Sequence, residues 1–285
     1  MTGTVAERLR EAAEQLGPES STGRLDAELL MAAALGASRS ELLLRHMRDP
    51  APEAFESLFA RRLRGEPVAY ILGTAEFYGL ELEVSPAVLI PRADSETAIE
   101  AAREAFRTAP PERILDCGTG SGALLLAALS LFPSAHGVGI DRSAEALAVA
   151  ARNAARLGLD PRSGFHTRDW EQPGWALDLG GPFGLILANP PYVEDDAPLE
   201  TVVRDHEPHG ALFAGPEGLD AYRILIPQLP ALLAPDGLAL VEIGHRQAEM
   251  VRAIGAAAGL AATVHRDLGD RPRVIAFSAG LIPVA

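Results

Sequence analysis

The sequence contains no lysine, and all 25 of its basic residues are arginine. Enzymes that act through a lysine amine, such as Schiff-base aldolases and pyridoxal enzymes, are therefore excluded, as are Walker-type phosphate loops. The single cysteine, Cys117, cannot form a disulfide within one chain, so we expect a reducing compartment. His206 and His209 share a proline-containing loop without further ligands, so the sequence predicts no metal site.

Positive charge and long apolar runs are also scarce. Arginine is outnumbered by 39 acidic residues, which gives a net charge of −14 and a poor surface for binding many phosphates. The longest apolar run, residues 123–132, is about half the length of a bilayer-spanning helix. The amino terminus is charged throughout and lacks the apolar segment of a signal peptide. We therefore expect a cytoplasmic protein that binds neither membranes nor nucleic acid directly.

The 285 residues are enough for one or two domains. Residues 1–75 show helical spacing, with Val5, Leu9 and Ala12 on one predicted face and Leu25, Leu29, Leu30 and Ala33 on another. Residues 76–90 change to an extended pattern and are predicted to form a hairpin linker. In residues 91–285 strand-like and helical runs alternate, including a helix near 221–233, which is typical of a doubly wound α/β sheet.

A glycine-rich turn follows the first strand of this larger domain. Gly118, Gly120 and Gly122 would let the backbone approach a ligand at the start of the next helix. The next strand ends at Asp141, whose carboxylate could accept hydrogen bonds from both hydroxyls of a ribose. Alternatively, Asp141 could cap the following helix. The pattern indicates an adenosine-type ligand but does not separate a nicotinamide dinucleotide from S-adenosylmethionine.

A second segment, Asn189-Pro190-Pro191-Tyr192, directly follows an apolar strand. The two prolines lack N–H groups, so neighbouring carbonyls remain available as acceptors. A planar NH₂ group could donate one hydrogen bond to the Asn189 side chain and one to the Pro190 carbonyl, while Tyr192 stacks on its face. The segment therefore predicts a site for an sp² amino group.

Several further segments resemble the PrmC/HemK family, the N5-glutamine methyltransferases of peptide chain release factors. They are GEPVAYILG at 65–73, EFYGL at 76–80, VLIPR at 88–92, DCGTGSG at 116–122, HEP at 206–208 and EIG at 242–244. The resemblance runs in order over nearly the whole chain. Departures are Cys117 where leucine is usual, Ala93-Asp94-Ser95-Glu96 where the family tends to read Pro-Glu-Thr-Glu, and Ala188 and Val193 beside the Asn-Pro-Pro-Tyr segment.

The resemblance implies a class I, Rossmann-like methyltransferase sheet with a small all-helical N-terminal domain that docks the protein substrate. The methyl donor would be S-adenosylmethionine, leaving S-adenosylhomocysteine. By the resemblance, its methionine part contacts Gly118, Thr119, Gly120, Ser121 and Gly122, its ribose contacts Asp141, its adenine lies near Trp170, and Asn189 is close by. Asn189, Pro190, Pro191 and Tyr192 would hold the acceptor glutamine.

The implied reaction methylates the side-chain nitrogen of the glutamine in the Gly-Gly-Gln motif of release factors, in support of translation termination, by a monomeric enzyme. An N6-adenine DNA or RNA methyltransferase shares the Asn-Pro-Pro-Tyr segment but would want a basic face. A nicotinamide-dependent oxidoreductase would have no use for the Asn-Pro-Pro-Tyr segment. A regulatory module that binds the cofactor without catalysis would not need to keep this segment, so its presence argues against that alternative as well. Arg61, Arg62 and Arg64 are interpreted as a solvated helix face rather than a partner contact.

Overall fold

The computed structural model describes residues 3–17 and 22–279. The chain divides into two compact units. The first is Met1–Thr74 with Leu199–His206, and the second is Ala75–Pro198 with Glu207–Ala285. The short segment Leu199–His206 therefore groups with the helical unit, whereas the sequence prediction includes it in the 91–285 domain.

The first unit is built from helices. They are α1 (Val5–Leu16), α2 (Gly23–Leu35), α3 (Arg39–Glu41), α4 (Ala54–Leu63), α5 (Val68–Leu72) and, later in the chain, α9 (Thr201–His206), with a π-helical segment at Leu42–His46. A capping box starts α1, because the Thr4 N–H donates to Glu7 Oε2 at 2.8 Å and Thr4 Oγ1 accepts from the Glu7 N–H at 3.3 Å. The predicted apolar face of α1 is confirmed, since Val5, Leu9 and Ala12 are fully buried.

The predicted face of α2 is confirmed at Leu30 but wrong at Leu25 and Ala33. Leu25 is 40% exposed and Ala33 is exposed, whereas Leu30 and Met31 are buried. The buried side includes Asp26, whose Oδ2 accepts from Arg62 Nε at 2.8 Å. A buried carboxylate is tolerated there because it is paired, so polarity alone misassigned the helix face.

The arginine cluster at residues 61–64 is largely engaged within the first unit. Arg61 forms an ion pair with Glu66, and Arg62 forms one with Asp26. The two guanidinium groups are therefore not freely solvated, contrary to the interpretation of this segment as a solvated helix face.

A short hairpin opens the second unit, with strands β1 (Thr74–Phe77) and β2 (Leu80–Glu83). Its two turn residues, Tyr78 and Gly79, have φ values of 51° and 75°, as a tight hairpin turn requires. The expectation of an extended linker up to residue 90 is wrong beyond Glu83. Pro86 and Pro91 interrupt that stretch, which is irregular until the 3₁₀ turn Ala93–Ser95 and helix α6 (Glu96–Ala105).

In the described part of the second unit, seven strands form one sheet in the order β5-β4-β3-β6-β7-β9-β8. The strands are β3 (Arg113–Cys117), β4 (His136–Asp141), β5 (Ser163–Thr167), β6 (Phe183–Ala188), β7 (Leu233–Glu242), β8 (Leu260–Arg266) and β9 (Pro272–Ala279). Neighbours from β5 to β7 are parallel, and β9 runs antiparallel to both β7 and β8. This arrangement confirms the predicted class I methyltransferase sheet. Most of the helical domain precedes the sheet in the sequence.

The remaining helices are α7 (Ala123–Leu131), α8 (Ala144–Arg156), α10 (Asp220–Leu225), α11 (Leu229–Leu232) and α12 (Ala248–Ala257). The single helix predicted near 221–233 is instead α10, a 3₁₀ turn and α11. Pro227 and Pro230 lack the N–H groups that a continuous helix needs. Throughout residues 3–17 and 22–279, we find no helix that combines the length and the apolar character required to cross a membrane.

The register of the parallel strands determines where the functional segments meet. Cys117, the last residue of β3, pairs with Ile140 of β4 on one side and with Ala188 of β6 on the other. The glycine-rich turn after β3, Asp141 at the end of β4 and Asn189 after β6 therefore all lie at the carboxyl ends of three consecutive strands. In open α/β sheets, this edge is where ligands bind.

Candidate active site

A cavity of about 500 Å³ lies at this edge of the sheet, within the second unit. Pockets that bind small molecules and cofactors usually have volumes of about 300 to 1,000 Å³. Among the residues singled out from the sequence, its walls include Gly118, Thr119, Gly120, Ser121, Asp141, Trp170, Asn189 and Pro191. Gly122, Pro190 and Tyr192 are not part of the described wall.

The glycine-rich turn has a backbone that only glycine adopts easily. Gly118, Gly120 and Gly122 have φ values of 75°, 54° and 84°. Gly118 is also close to Trp170, because a Cβ atom on it would lie 3.2 Å from the indole. Gly122 has a packing role instead, since its Cβ would lie 3.0 Å from Leu126.

Asp141 holds the turn in place with both of its carboxylate oxygens. Oδ2 accepts from the Gly120 N–H at 3.0 Å, and Oδ1 accepts from the Ser143 N–H at 2.9 Å. Each carboxylate oxygen has a further lone pair for a ligand hydroxyl. The alternative role of Asp141 as a helix cap is wrong, because the N-cap of α8 is Ser143, whose Oγ accepts from the Ala146 N–H at 3.1 Å.

Asp116 lies buried at the end of β3, next to the turn. Its Oδ2 accepts from Thr119 Oγ1 at 2.6 Å, while Oδ1 has no hydrogen-bond partner among the described residues. Burial raises the pKa of Asp116 to about 7, although the hydrogen bond from Thr119 opposes the shift. A buried acceptor without a partner is costly, so a ligand or water that donates to it would be stabilised.

The Asn-Pro-Pro-Tyr segment begins directly after β6. Asn189 Nδ2 donates to Ser95 Oγ at 3.5 Å, and both side chains line the cavity. Pro190 is buried and Pro191 forms part of the cavity wall. The arrangement brings the Asn189 carboxamide to the same cavity as the glycine-rich turn.

Tyr192 faces a buried acid. Its hydroxyl donates to Glu242 Oε1 at 3.3 Å, and its carbonyl accepts from Gln247 Nε2 at 3.0 Å. A Cβ atom on Gly218 would lie 2.3 Å from the same carbonyl oxygen, so the chain is packed tightly at this point. Burial raises the pKa of the Tyr192 phenol, and the charge of Glu242 raises it further. The phenol therefore remains a hydrogen-bond donor at neutral pH.

The loop before α6 is tied to the segment after α9. Glu207 is 3% exposed and accepts from the Ile90 N–H at 3.3 Å and from the Arg92 guanidinium. Arg92 and Pro91 belong to the cavity wall, as does Pro208. The ion pair thus fixes one rim of the cavity.

The comparisons with known proteins agree over most of the chain. A family model described as "PrmC N-terminal domain" matches residues 7–73, and one described as "Methyltransferase domain" matches residues 110–237. A release factor glutamine methyltransferase of Bradyrhizobium diazoefficiens is 45% identical, over 95% of this chain and 91% of the relative. That of Caulobacter vibrioides is 40% identical, over 88% of each chain. The chain belongs to the release factor glutamine methyltransferase family.

A solved structure gives the same fold independently. The methyltransferase of Pyrococcus furiosus aligns with a TM-score of 0.51 and 19% identity, over 78% of this chain and 98% of its own. At that identity the likeness concerns the fold alone.

Sequence reasoning did not single out Ser95, which lines the cavity, or Glu242, which accepts a hydrogen bond from Tyr192. Glu242 appeared only within the EIG motif, and Ser95 only as a departure from a family motif. One signal was present, because Glu242 is an acidic residue at the end of the otherwise apolar run LALVE. An acid at that position becomes buried in the sheet. Burial of an acid is costly unless it has a partner, so an acid there indicates a paired contact or a function.

Proposed function

We propose that this protein transfers a methyl group from S-adenosylmethionine to the side-chain amide nitrogen of a release-factor glutamine, the one in the Gly-Gly-Gln motif. The observation that carries the proposal is the position of Asn189. It lines the same cavity as Gly118 and Asp141, and it follows β6, the strand next to the one that Gly118 follows. An acceptor amide held by Asn189 would therefore be adjacent to a methyl donor held by the glycine-rich turn.

The residues present fit S-adenosylmethionine. A side chain at Gly118 or Gly120 would block or strain the backbone that faces the cavity. Asp141 has lone pairs for the ribose hydroxyls, and Trp170 offers a ring face for the adenine. When bound, S-adenosylmethionine supplies an electrophilic methyl group on a sulfonium centre.

The protein's contribution to the reaction is mainly orientation. A carboxamide nitrogen is a poor nucleophile because its lone pair is delocalised, so alignment and exclusion of water must provide much of the rate. The Asn189 oxygen would accept one N–H of the glutamine. The Pro190 carbonyl, predicted from the sequence to accept the other, belongs to a buried residue outside the described wall of the cavity. The bound donor would supply the methyl group, so that a nitrogen–carbon bond forms as the methyl–sulfur bond breaks. The methylated nitrogen would then lose one N–H proton to water, so a strong base is not needed before transfer.

The first unit would dock the protein substrate, and the two units would work together as a monomer in the cytoplasm. The net charge of −14 supports a protein substrate over direct nucleic acid binding. Tyr192 would support the glutamine site from behind the cavity wall, since its hydroxyl is engaged by Glu242.

The test is incubation with labelled S-adenosylmethionine and either a release factor of the same organism or DNA, followed by mass spectrometry of the release factor. We expect a single added methyl group on the glutamine of the Gly-Gly-Gln motif and no label in DNA. Label in DNA with an unmodified release factor would favour the adenine methyltransferase instead.

A further inference from the structure

Both tryptophans of the chain lie in the segment that connects β5 to β6. Residues 168–182 of this segment form neither a helix nor a strand, so no regular ladder of main-chain hydrogen bonds fixes them. Trp170 lines the cavity and lies against Gly118, whereas Trp175 is 5% exposed and is not part of the described wall. The position of Trp170 therefore depends on contacts with other parts of the second unit.

Gln228 makes such contacts with both tryptophans. It ends the 3₁₀ turn Ile226–Gln228, and its Nε2 donates to the main-chain carbonyl of Trp170 at 3.1 Å and to that of Ile224 at 2.7 Å. Its Oε1 accepts from the indole Nε1 of Trp175 at 2.6 Å. One side chain thus joins the end of α10 to the segment that carries the cavity's aromatic wall.

The three partners allow only one orientation of the Gln228 carboxamide. An indole N–H can only donate, so the oxygen end faces Trp175. A carbonyl can only accept, so the NH₂ end faces Trp170 and Ile224, and each of its two hydrogens has a partner. A buried indole N–H needs an acceptor, and Gln228 provides it. The carboxamide therefore holds the segment in one defined position.

We propose that Gln228 is a positioning residue for the methyl donor, because it places the Trp170 ring as the wall against which the adenine packs. This inference rests on the proposed function. Gln228 is not part of the described cavity wall, but Trp170 and Ile224, whose carbonyls it holds, both are. It therefore acts through these two residues, and Trp175 holds the other end of its carboxamide.

The experiment compares wild type with Gln228→Glu and Gln228→Met. Glutamate keeps an acceptor for Trp175 but turns a carboxylate oxygen towards the two carbonyls, whereas methionine keeps the length and removes all three hydrogen bonds. In both variants we expect the Kd for S-adenosylmethionine, measured by calorimetric titration, to rise by about tenfold. Two carbonyls lose their donor, and the Trp170 wall is no longer held in place.

Steady-state kinetics on intact release factor separate binding from chemistry. The KM for S-adenosylmethionine should rise by about tenfold in both variants, while kcat should change by less than about twofold. The adenine takes no part in bond making, so its contacts stabilise the bound complex and the transition state equally.

Gln172→Glu is the matched control for the added charge. Gln172 lies two residues after Trp170 in the same segment, and its side chain is exposed. The change introduces the same charge as Gln228→Glu without altering the contacts of Gln228. Its Kd for S-adenosylmethionine should stay within about twofold of the wild-type value.

Fluorescence reports on the ring without any ligand. In a Trp175→Phe background Trp170 is the only tryptophan, and Gln228 keeps both of its carbonyl partners. Adding Gln228→Met should shift the Trp170 emission to longer wavelength, because a ring that is no longer held against Gly118 is more exposed to water. Adding Gln172→Glu instead should leave the emission unchanged.

A Kd within about twofold of wild type in Gln228→Met, or an unshifted Trp170 emission, overturns the positioning role. The methionine variant decides this even if Gln228→Glu does not fold. A fall in kcat as large as the rise in KM also overturns it, because the damage would then extend beyond binding. If wild type binds S-adenosylmethionine but leaves the release factor unmethylated, the proposed function fails, while the Kd and the emission still decide the role of Gln228. Absence of S-adenosylmethionine binding by wild type overturns both.

Discussion

Trp170 lies against the backbone of Gly118, so that a Cβ atom on Gly118 would be 3.2 Å from the Cη2 atom of the indole. The ring and the turn thus form two adjoining walls of the cavity, and a side chain at Gly118 would act on both the backbone conformation and the ring position.

Gly118→Ala should weaken S-adenosylmethionine binding by about tenfold or more, because the φ of 75° is strained for alanine and Trp170 must move. Gly79→Ala is the matched control, since Gly79 has the same φ of 75° but nothing within 4 Å of its Cβ position. Calorimetric titration should show lost affinity only for Gly118→Ala. Equal loss in both variants would mean that general destabilisation, not the cavity wall, is responsible.

Binding of S-adenosylmethionine should raise the melting temperature, whereas NAD should not. A ligand that binds only the folded state stabilises it by about 2.7 kcal/mol at a concentration of 100 times its Kd. Thermal unfolding with each compound checks this directly. Stabilisation by NAD alone would contradict the assignment of the cavity.

Asn189→Ala should lower kcat/KM by at least about 100-fold. The reacting NH₂ group then has an unpaired donor, which costs about 1–3 kcal/mol, and misorientation of the nitrogen adds to that cost. Steady-state kinetics on intact release factor measure the loss, and cofactor affinity, expected to change by less than about tenfold, is the control. Near wild-type turnover would show that the Asn-Pro-Pro-Tyr segment is only a turn here.

Removing residues 1–75 should reduce activity on intact release factor far more than it reduces cofactor affinity, because remote substrate contacts provide orientation. The comparison is between kcat/KM on release factor and the Kd for S-adenosylmethionine in the same truncated protein. Since Leu199–His206 groups with the first unit, the circular dichroism spectrum of the truncated protein is recorded alongside. Full activity of a folded truncated protein would refute the docking role without affecting the chemistry.

Lowering the pH from 8 to 5 should stabilise the protein through Glu242. Burial raises the pKa of this carboxyl to about 7, whereas an unfolded glutamate has a pKa of about 4.3. Between these values the folded state binds the proton and the unfolded state does not, so stability from this group falls as pH rises. Glu242→Gln should flatten the dependence of melting temperature on pH in this window, and Glu249→Gln, at an exposed position, should not. An unchanged slope in Glu242→Gln would contradict ionisation of Glu242 in this range.

The sheet and the two cavity segments could be predicted from sequence because both depend on local signals. Apolar runs alternate with amphipathic ones, and the glycine turn and Asn189 each directly follow a strand. The break in the helix near 221–233 does not follow from periodicity, because the apolar pattern continues across Pro227 and Pro230 while their missing N–H groups interrupt the helix. The face of α2 was misassigned because a buried Asp26 is acceptable only with its distant partner Arg62.

The contact between Tyr192 and Glu242 could not be predicted in the same way. The two residues are 50 positions apart in sequence and meet because Tyr192 follows β6 and Glu242 ends β7, its parallel neighbour in the sheet. The polarity and spacing of residues in the sequence do not indicate such a long-range contact between side chains. A buried acid without sufficient partners is visible only once the strands are placed.

The pairing of Cys117 with Ala188 fixes the distance between the ends of β3 and β6. The glycine-rich turn and the Asn-Pro-Pro-Tyr segment leave the sheet after paired residues, separated by one strand spacing of about 4.8 Å. That interval is set by hydrogen bonds between main chains rather than by any side chain in the cavity. Substitutions in the two loops can therefore change the lining of the cavity while the spacing between the ends of β3 and β6 stays the same.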